Sequence, residues 1–117
     1  MVYGGDGLTR LPADDRGPGK AVFVPFVLPG EAVEATLREE KPGFARAQLD
    51  GILAASPRRV DPRCPYFQRC GGCHYQHAAY RAQVQTKLDI MRETLSRMGG
   101  VNWAGEIRTH TAEPRWW

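Results

Sequence analysis

The rhythm of apolar and polar positions changes twice along this chain. Within residues 2–57, apolar and β-branched residues come in short runs with partial alternation, at residues 20–28, 32–37 and 44–49. Turn-forming stretches separate the runs: Gly4-Gly5-Asp6-Gly7, Asp14-Asp15-Arg16-Gly17-Pro18-Gly19, Pro29-Gly30 and Lys41-Pro42-Gly43. Short runs of this kind between glycines and prolines predict strands. Pro25 interrupts the first long run; with no N–H to give to a ladder, it belongs at an edge or a bulge. About five short strands in so little chain predict a small closed barrel of the OB type, because closure removes exposed sheet edges.

Residues 56–74 show neither period. They hold three prolines, four arginines and all three cysteines of the chain, which predicts an irregular loop. From His77 to Met98 the rhythm is helical, since Tyr80, Val84, Leu88, Met91, Leu95 and Met98 recur at spacings of three and four. Gly99-Gly100 is the expected stop, Arg81, Gln85, Lys87, Arg92 and Arg97 form the polar face, and the two methionines read as core filler. Residues 107–111 suggest one more strand, and Trp116-Trp117 call for further sequence to cover them. The predicted organisation is a β-barrel over residues 1–57, a cysteine loop with one amphipathic α-helix over 58–100, and the start of a further α+β region over 101–117.

A chain of 117 residues is short for an enzyme with its own cofactor fold, so a module is expected. The net charge of +3 is mild but unevenly placed. Up to Pro57 there are six basic and eight acidic residues, whereas from Arg58 to Arg97 eight basic residues face only Asp61, Asp89 and Glu93. A polyanion would be drawn to that second stretch, although arginines on a solvated helix face would give the same composition. No apolar run approaches the roughly 18 residues of a membrane span, and no leader pattern opens the chain, so a cytoplasmic protein is the expectation. A monomer is expected.

The cysteines follow the pattern Cys64-x5-Cys70-x2-Cys73, with Gly71-Gly72 between the last two. An odd count packed into one loop fits a reducing compartment and a ligand set better than a disulfide framework. Thiolates so placed suit an iron–sulfur cluster or zinc, and both take four ligands in a closed site. Zinc could recruit His74 or His77 to complete a Cys₃His site, while a cubane cluster asks for a fourth cysteine.

The run Cys64-Pro65-Tyr66-Phe67-Gln68-Arg69-Cys70-Gly71-Gly72-Cys73-His74-Tyr75-Gln76-His77, with Tyr80 and the helix after it, resembles the cluster-binding motif of bacterial RNA uracil-5 methyltransferases. Upstream, Val2-Tyr3-Gly4-Gly5-Asp6-Gly7-Leu8-Thr9-Arg10, residues 22–28 and Pro29-Gly30-Glu31 resemble that family's TRAM domain, an OB-like RNA-binding barrel. The likeness implies a [4Fe-4S] cluster held by Cys64, Cys70 and Cys73, with its fourth ligand outside this chain. It implies too that S-adenosylmethionine and the catalytic cysteine belong to a methyltransferase domain absent here, so that none of these three cysteines is the nucleophile. RNA, ribosomal or transfer, is the implied partner. The family's first strand begins several residues before Val2, which leaves the expected barrel short of part of an edge.

Gly4-Gly5-Asp6-Gly7 lacks the context of a phosphate-binding loop and reads as a turn. An OB-type barrel holds single strands with loop cations and aromatic platforms, for which Arg10, Arg16, Lys20, Arg38, Lys41, Phe44 and Arg46 are candidates. Of Phe23 and Phe26, at least one is expected in the core. Arg58, Arg59, Arg63 and Arg69 flank the cysteine loop and are the stronger candidates for phosphate contacts, unless they balance the charge of a cluster. The expectation is thus a cluster-bearing, RNA-binding portion of a methyltransferase. Its rivals are a free-standing RNA-binding module with zinc, and an inactive gene fragment.

Overall fold

A computed structural model describes residues 1–13 and 17–112. Arg16, the Asp14-Asp15 turn and Trp116-Trp117 lie outside the described residues. The chain forms two compact units, Met1–Arg59 and Val60–Trp117.

The first unit is a four-stranded sheet of β1 (Gly7–Arg10), β2 (Ala21–Val24), β3 (Ala32–Glu40) and β4 (Phe44–Ala54), in the order β1-β2-β4-β3. β1 runs antiparallel to β2, β2 parallel to β4, and β3 antiparallel to β4. The sheet is open among the described residues, which corrects the closed barrel of about five strands. The two edge strands do not pair: β1 is only four residues long, and a cleft of about 490 Å³ is lined by residues 7–9 of β1, by Val24 and residues 27–31, and by Val33 of β3. β2 is also shorter than the run 20–28 suggested. Pro25 cannot continue the ladder, and Phe26 at φ 62° turns the chain away. Val27 and Leu28 then fold back into buried positions.

β3 and β4 extend beyond their predicted ends and form a long hairpin around Lys41-Pro42-Gly43, with register shifts in β3 between Ala32 and Val33, Glu34 and Ala35, and Leu37 and Glu39. Such bulges twist the strand, and β3 carries charges along most of its length, which protects an edge from pairing with another chain. Alternation puts Val22, Val24, Ala45 and Ala47 on the inner face, where with Val27 they make the core, flanked by Val33 and Leu49.

The second unit contains the cysteine loop and α1 (Tyr80–Gly99). The helix ends as its sequence predicts: Gly100 adopts the left-handed conformation at φ 63°, and its N–H and that of Val101 reach back to the Leu95 carbonyl. The methionines do not fill a core. Met91 is half exposed and Met98 is 85% exposed, because the C-terminal half of the apolar stripe lies open among the described residues. Residues 107–111 form no strand, since none of the described residues pairs with them; the nearby Ala112 N–H donates to Tyr80 Oη at 3.1 Å.

Candidate nucleic-acid interface and metal-binding loop

The register of the sheet decides what its outer face carries. Leu8, Phe23 and Arg46 lie in one row across β1, β2 and β4, and Arg10, Ala21 and Phe44 lie in the next. These residues alternate with the core valines and alanines, so they point away from the core. Phe23 and Phe44 meet edge to face, with centroids 6.0 Å apart and planes at 79°, and both are half-buried. Neither is core, and Phe26 is half-buried in its turn, so the expectation that Phe23 or Phe26 sits in the core does not hold. The Lys41 ammonium lies 5.7 Å from the Phe44 centroid. Arg10, Lys41 and Arg46 are exposed. Two aromatic rings and three cations therefore share one surface.

Acidic residues moderate it. Glu39 pairs with Lys41 at 2.9 Å and with Arg46 at 3.7 Å, and the hydrogen bond and charge of Lys41 hold its carboxyl below the usual carboxylate range. Lys20 is tied to Glu40 at 2.7 Å. Arg38 donates to the Gln48 side-chain oxygen at 3.0 Å.

Arg59 is placed differently from its expected role as a phosphate contact. Its Nε donates to Glu31 Oε1 at 2.6 Å, and its Nη2 donates to Glu31 Oε2 at 2.7 Å and to the Phe26 carbonyl at 2.9 Å. The Glu31 side chain is fully buried and that of Arg59 is 17% exposed. Glu31 also accepts the Leu28 N–H at 2.8 Å and the Ser56 N–H at 3.1 Å. Burial works to raise the Glu31 pKa, but the bonds from Arg59, Leu28 and Ser56 together with the Arg59 charge outweigh it and hold the value at about 2. Arg59 thus fastens the Phe26 turn to the end of the sheet unit. Arg58, Arg63 and Arg69 are exposed.

In the second unit, short turns carry the cysteine loop. The Phe67 N–H donates to the Cys64 carbonyl at 3.1 Å, and the N–H groups of Arg69 and Cys70 donate to the Tyr66 carbonyl. Gln68 and Gly71 sit at φ 70° and 67°, the left-handed corners that return the chain toward Cys73. All three thiols are free of disulfides, with Cys70 and Cys73 exposed and Cys64 half-buried. Gln76 is only 5% exposed and spans the loop: its Oε1 accepts the Cys64 N–H at 3.0 Å and its Nε2 donates to Cys73 Sγ at 3.8 Å. His74 is exposed, while His77 is fully buried with its ring 5.6 Å from that of Phe67. Among the described residues no three of His, Cys, Asp and Glu stand together as a set that could hold a metal ion. The chemistry of the donors, three thiols on one tightly turned loop, nonetheless fits a thiolate-ligated centre.

Residues 3–49 match the profile of the TRAM domain. The chain is 43% identical over 110 residues to an uncharacterized RNA methyltransferase of Aquifex aeolicus, across 92% of this chain and 24% of that protein. It is 46% identical over 86 residues to the 23S rRNA (uracil(1939)-C(5))-methyltransferase RlmD of Pectobacterium atrosepticum, across 74% of this chain and 19% of that one. Over 116 residues it is 35% identical to an uncharacterized RNA methyltransferase of Protochlamydia amoebophila, across 99% and 25%. Residues 3–49 form a TRAM domain, and the relatives that the chain resembles are named RNA methyltransferases, RlmD among them a uracil-C5 methyltransferase.

It spans about a fifth to a quarter of the length of the curated relatives it matches. The TRAM match covers all of β1, β2 and β3 and the first half of β4, and so includes the whole aromatic and cationic face. Among the described residues no helix is long and apolar enough to cross a membrane. Two residues central to the geometry, Glu31 and Gln76, were not candidates from the sequence. A glutamate after Pro29-Gly30 reads as a solvated turn, and a glutamine beside two histidines carries no mark of its own.

Proposed function

We propose that this chain is the RNA-binding and [4Fe-4S]-binding portion of an S-adenosylmethionine-dependent RNA uracil-5 methyltransferase that modifies ribosomal or transfer RNA in the cytoplasm. The observation that carries the reading is the outer face of the TRAM sheet, where Phe23 and Phe44 stand among Arg10, Lys41 and Arg46. Single-stranded RNA is held by such a combination: bases stack on aromatic rings and phosphates meet cations. An exposed cation–π contact is worth only about 0.5–1 kcal/mol, so little opposes Lys41 leaving Phe44 for a phosphate while a base takes its place. Arg58, Arg63 and Arg69 add phosphate contacts around the cysteine loop.

Cys64, Cys70 and Cys73 would hold the cluster, with a fourth ligand from outside this chain. Binding draws the sulfurs together and supplies folding free energy to a unit with a small core of its own. The cluster's part is structural, and S-adenosylmethionine is bound outside these residues.

Fluorescence anisotropy with a labelled single-stranded uridine-containing RNA tests the RNA reading. Replacing Phe44 by Ala weakens binding by about 1–3 kcal/mol if a base stacks there, and Arg46→Ala weakens it and flattens its salt dependence. Unchanged affinity in both variants, with the sheet intact by NMR, rejects the interface. For the metal, anaerobic reconstitution gives a brown protein absorbing near roughly 400 nm if iron–sulfur binds, and a colourless one with bound zinc if the Cys₃His alternative holds.

A further inference from the structure

We infer that Gln76 is the positioning residue of the cysteine loop, fixing the backbone at Cys64 and donating a hydrogen bond to the Cys73 sulfur that the loop offers to a metal centre. The inference rests on the reading of Cys64, Cys70 and Cys73 as iron–sulfur ligands.

A glutamine amide buried without partners is costly, so the burial of Gln76 has to be offset by specific bonds. Both ends of the amide are used. The oxygen accepts from Cys64 N–H at 3.0 Å and the nitrogen lies 3.8 Å from Cys73 Sγ. Flipping the amide would set its NH₂ against the Cys64 N–H, donor against donor, so the network itself fixes which end faces the sulfur.

The residues around it hold Gln76 in place. The Val60 N–H donates to the His77 carbonyl at 2.9 Å, the Ala78 N–H to the Tyr75 carbonyl at 2.9 Å, and the His77 ring lies against Phe67. One side chain therefore joins the first and last cysteines of the loop across the Gln68 and Gly71 corners. A hydrogen bond to a ligating sulfur stabilises its negative charge, and such bonds raise the reduction potential of a cluster and slow loss of its iron. A clamp acting only on the backbone would do neither.

The test uses the full chain, reconstituted anaerobically with ferrous iron, sulfide and excess small thiol, which can stand in for the outside ligand. Wild type is compared with Gln76→Glu, which keeps an acceptor for the Cys64 N–H but has no donor at neutral pH, and with Gln76→Met, which is neutral and has neither. Both variants are expected to have a more negative midpoint potential than wild type, Gln76→Glu the most negative because it adds charge. Both are also expected to release iron to a chelator roughly 10-fold faster. Cluster formation in all three proteins with equal potentials overturns the inference and leaves the cluster reading standing. A wild-type chain that takes up no iron and sulfide overturns both.

Discussion

The buried pair of Glu31 and Arg59 gives the sharpest quantitative expectation for the first unit. Glu31 receives four hydrogen bonds, two from the guanidinium and two from backbone N–H groups, with its side chain wholly out of solvent. Its pKa falls from 4.5 to about 2, and at about 1.4 kcal/mol for each pH unit the difference is worth about 3 kcal/mol. Because the folded value lies below the unfolded one, the stabilisation is complete above pH 4.5. It is lost as pH falls from there toward 2, where the carboxylate takes a proton in the folded state as well. Urea unfolding followed through the NMR signals of the Ala45 and Ala47 amides reads the sheet unit alone. Wild type should lose about 3 kcal/mol between pH 6 and pH 2 beyond what Glu31→Gln loses. At pH 7 the variant should itself be less stable by about 3–5 kcal/mol, since it leaves Arg59 buried without its counter-charge. Parallel pH curves for the two proteins, or a cost below about 1 kcal/mol at pH 7, would refute the assignment of this pair as the fastening of the Phe26 turn.

Three further outcomes follow from single contacts. Gly7→Ala would drive its new methyl into Val27 Cγ2 in the core, and should cost about 1–3 kcal/mol in the same urea experiment. Gly100→Ala forces a side chain into the left-handed cap of α1 and should cost about 1 kcal/mol, read from the helical circular dichroism signal on heating. Glu39→Gln removes the carboxylate that pairs with both Lys41 and Arg46; anisotropy should show tighter RNA binding and a salt dependence steeper by about one ion, whereas weaker binding would place the RNA elsewhere.

What the sequence disclosed was set by local rules. The heptad-like spacing from Tyr80 to Met98 and the Gly99-Gly100 stop were enough to place α1 within a few residues, because helix periodicity and capping are written in neighbouring positions. β2, β3 and β4 were found where turn residues bracketed apolar runs, whereas no such run marked β1, and β2 was drawn too long, since nothing in Phe26 itself announces a positive φ. The open sheet was not legible either: whether β1 meets β3 depends on the path of residues 24–31, which contacts distant in sequence decide. Among the site residues, the cysteines and the cations of the sheet face stood out by type and spacing. Arg59 did too, and its burial shows how little residue type says about whether a cation is available. Its partner Glu31 lies 28 positions away and fixes its fate.

Charge counted along the chain and charge displayed by the fold therefore point to different places. The sheet unit has eight acidic and eight basic residues in sequence, yet strand register collects Arg10, Lys41 and Arg46 beside two aromatic rings. Glu31 is meanwhile withdrawn into the interior, where its charge is cancelled by Arg59 and contributes little to any field outside. Glu39 is the acid that remains among these cations, and its pairing with two of them makes it a competitor for whatever phosphate approaches. A polyanion binding here must displace that carboxylate from Lys41 and Arg46, a modest cost for exposed pairs worth at most about 1 kcal/mol each. The same exchange favours a ligand that also offers bases to the rings, because stacking adds a gain that a simple anion cannot provide. Unstructured RNA meets both conditions and duplex RNA, with its bases already stacked, meets only the first. The aromatic pair, more than the net charge, is thus the feature by which this surface would select a single strand.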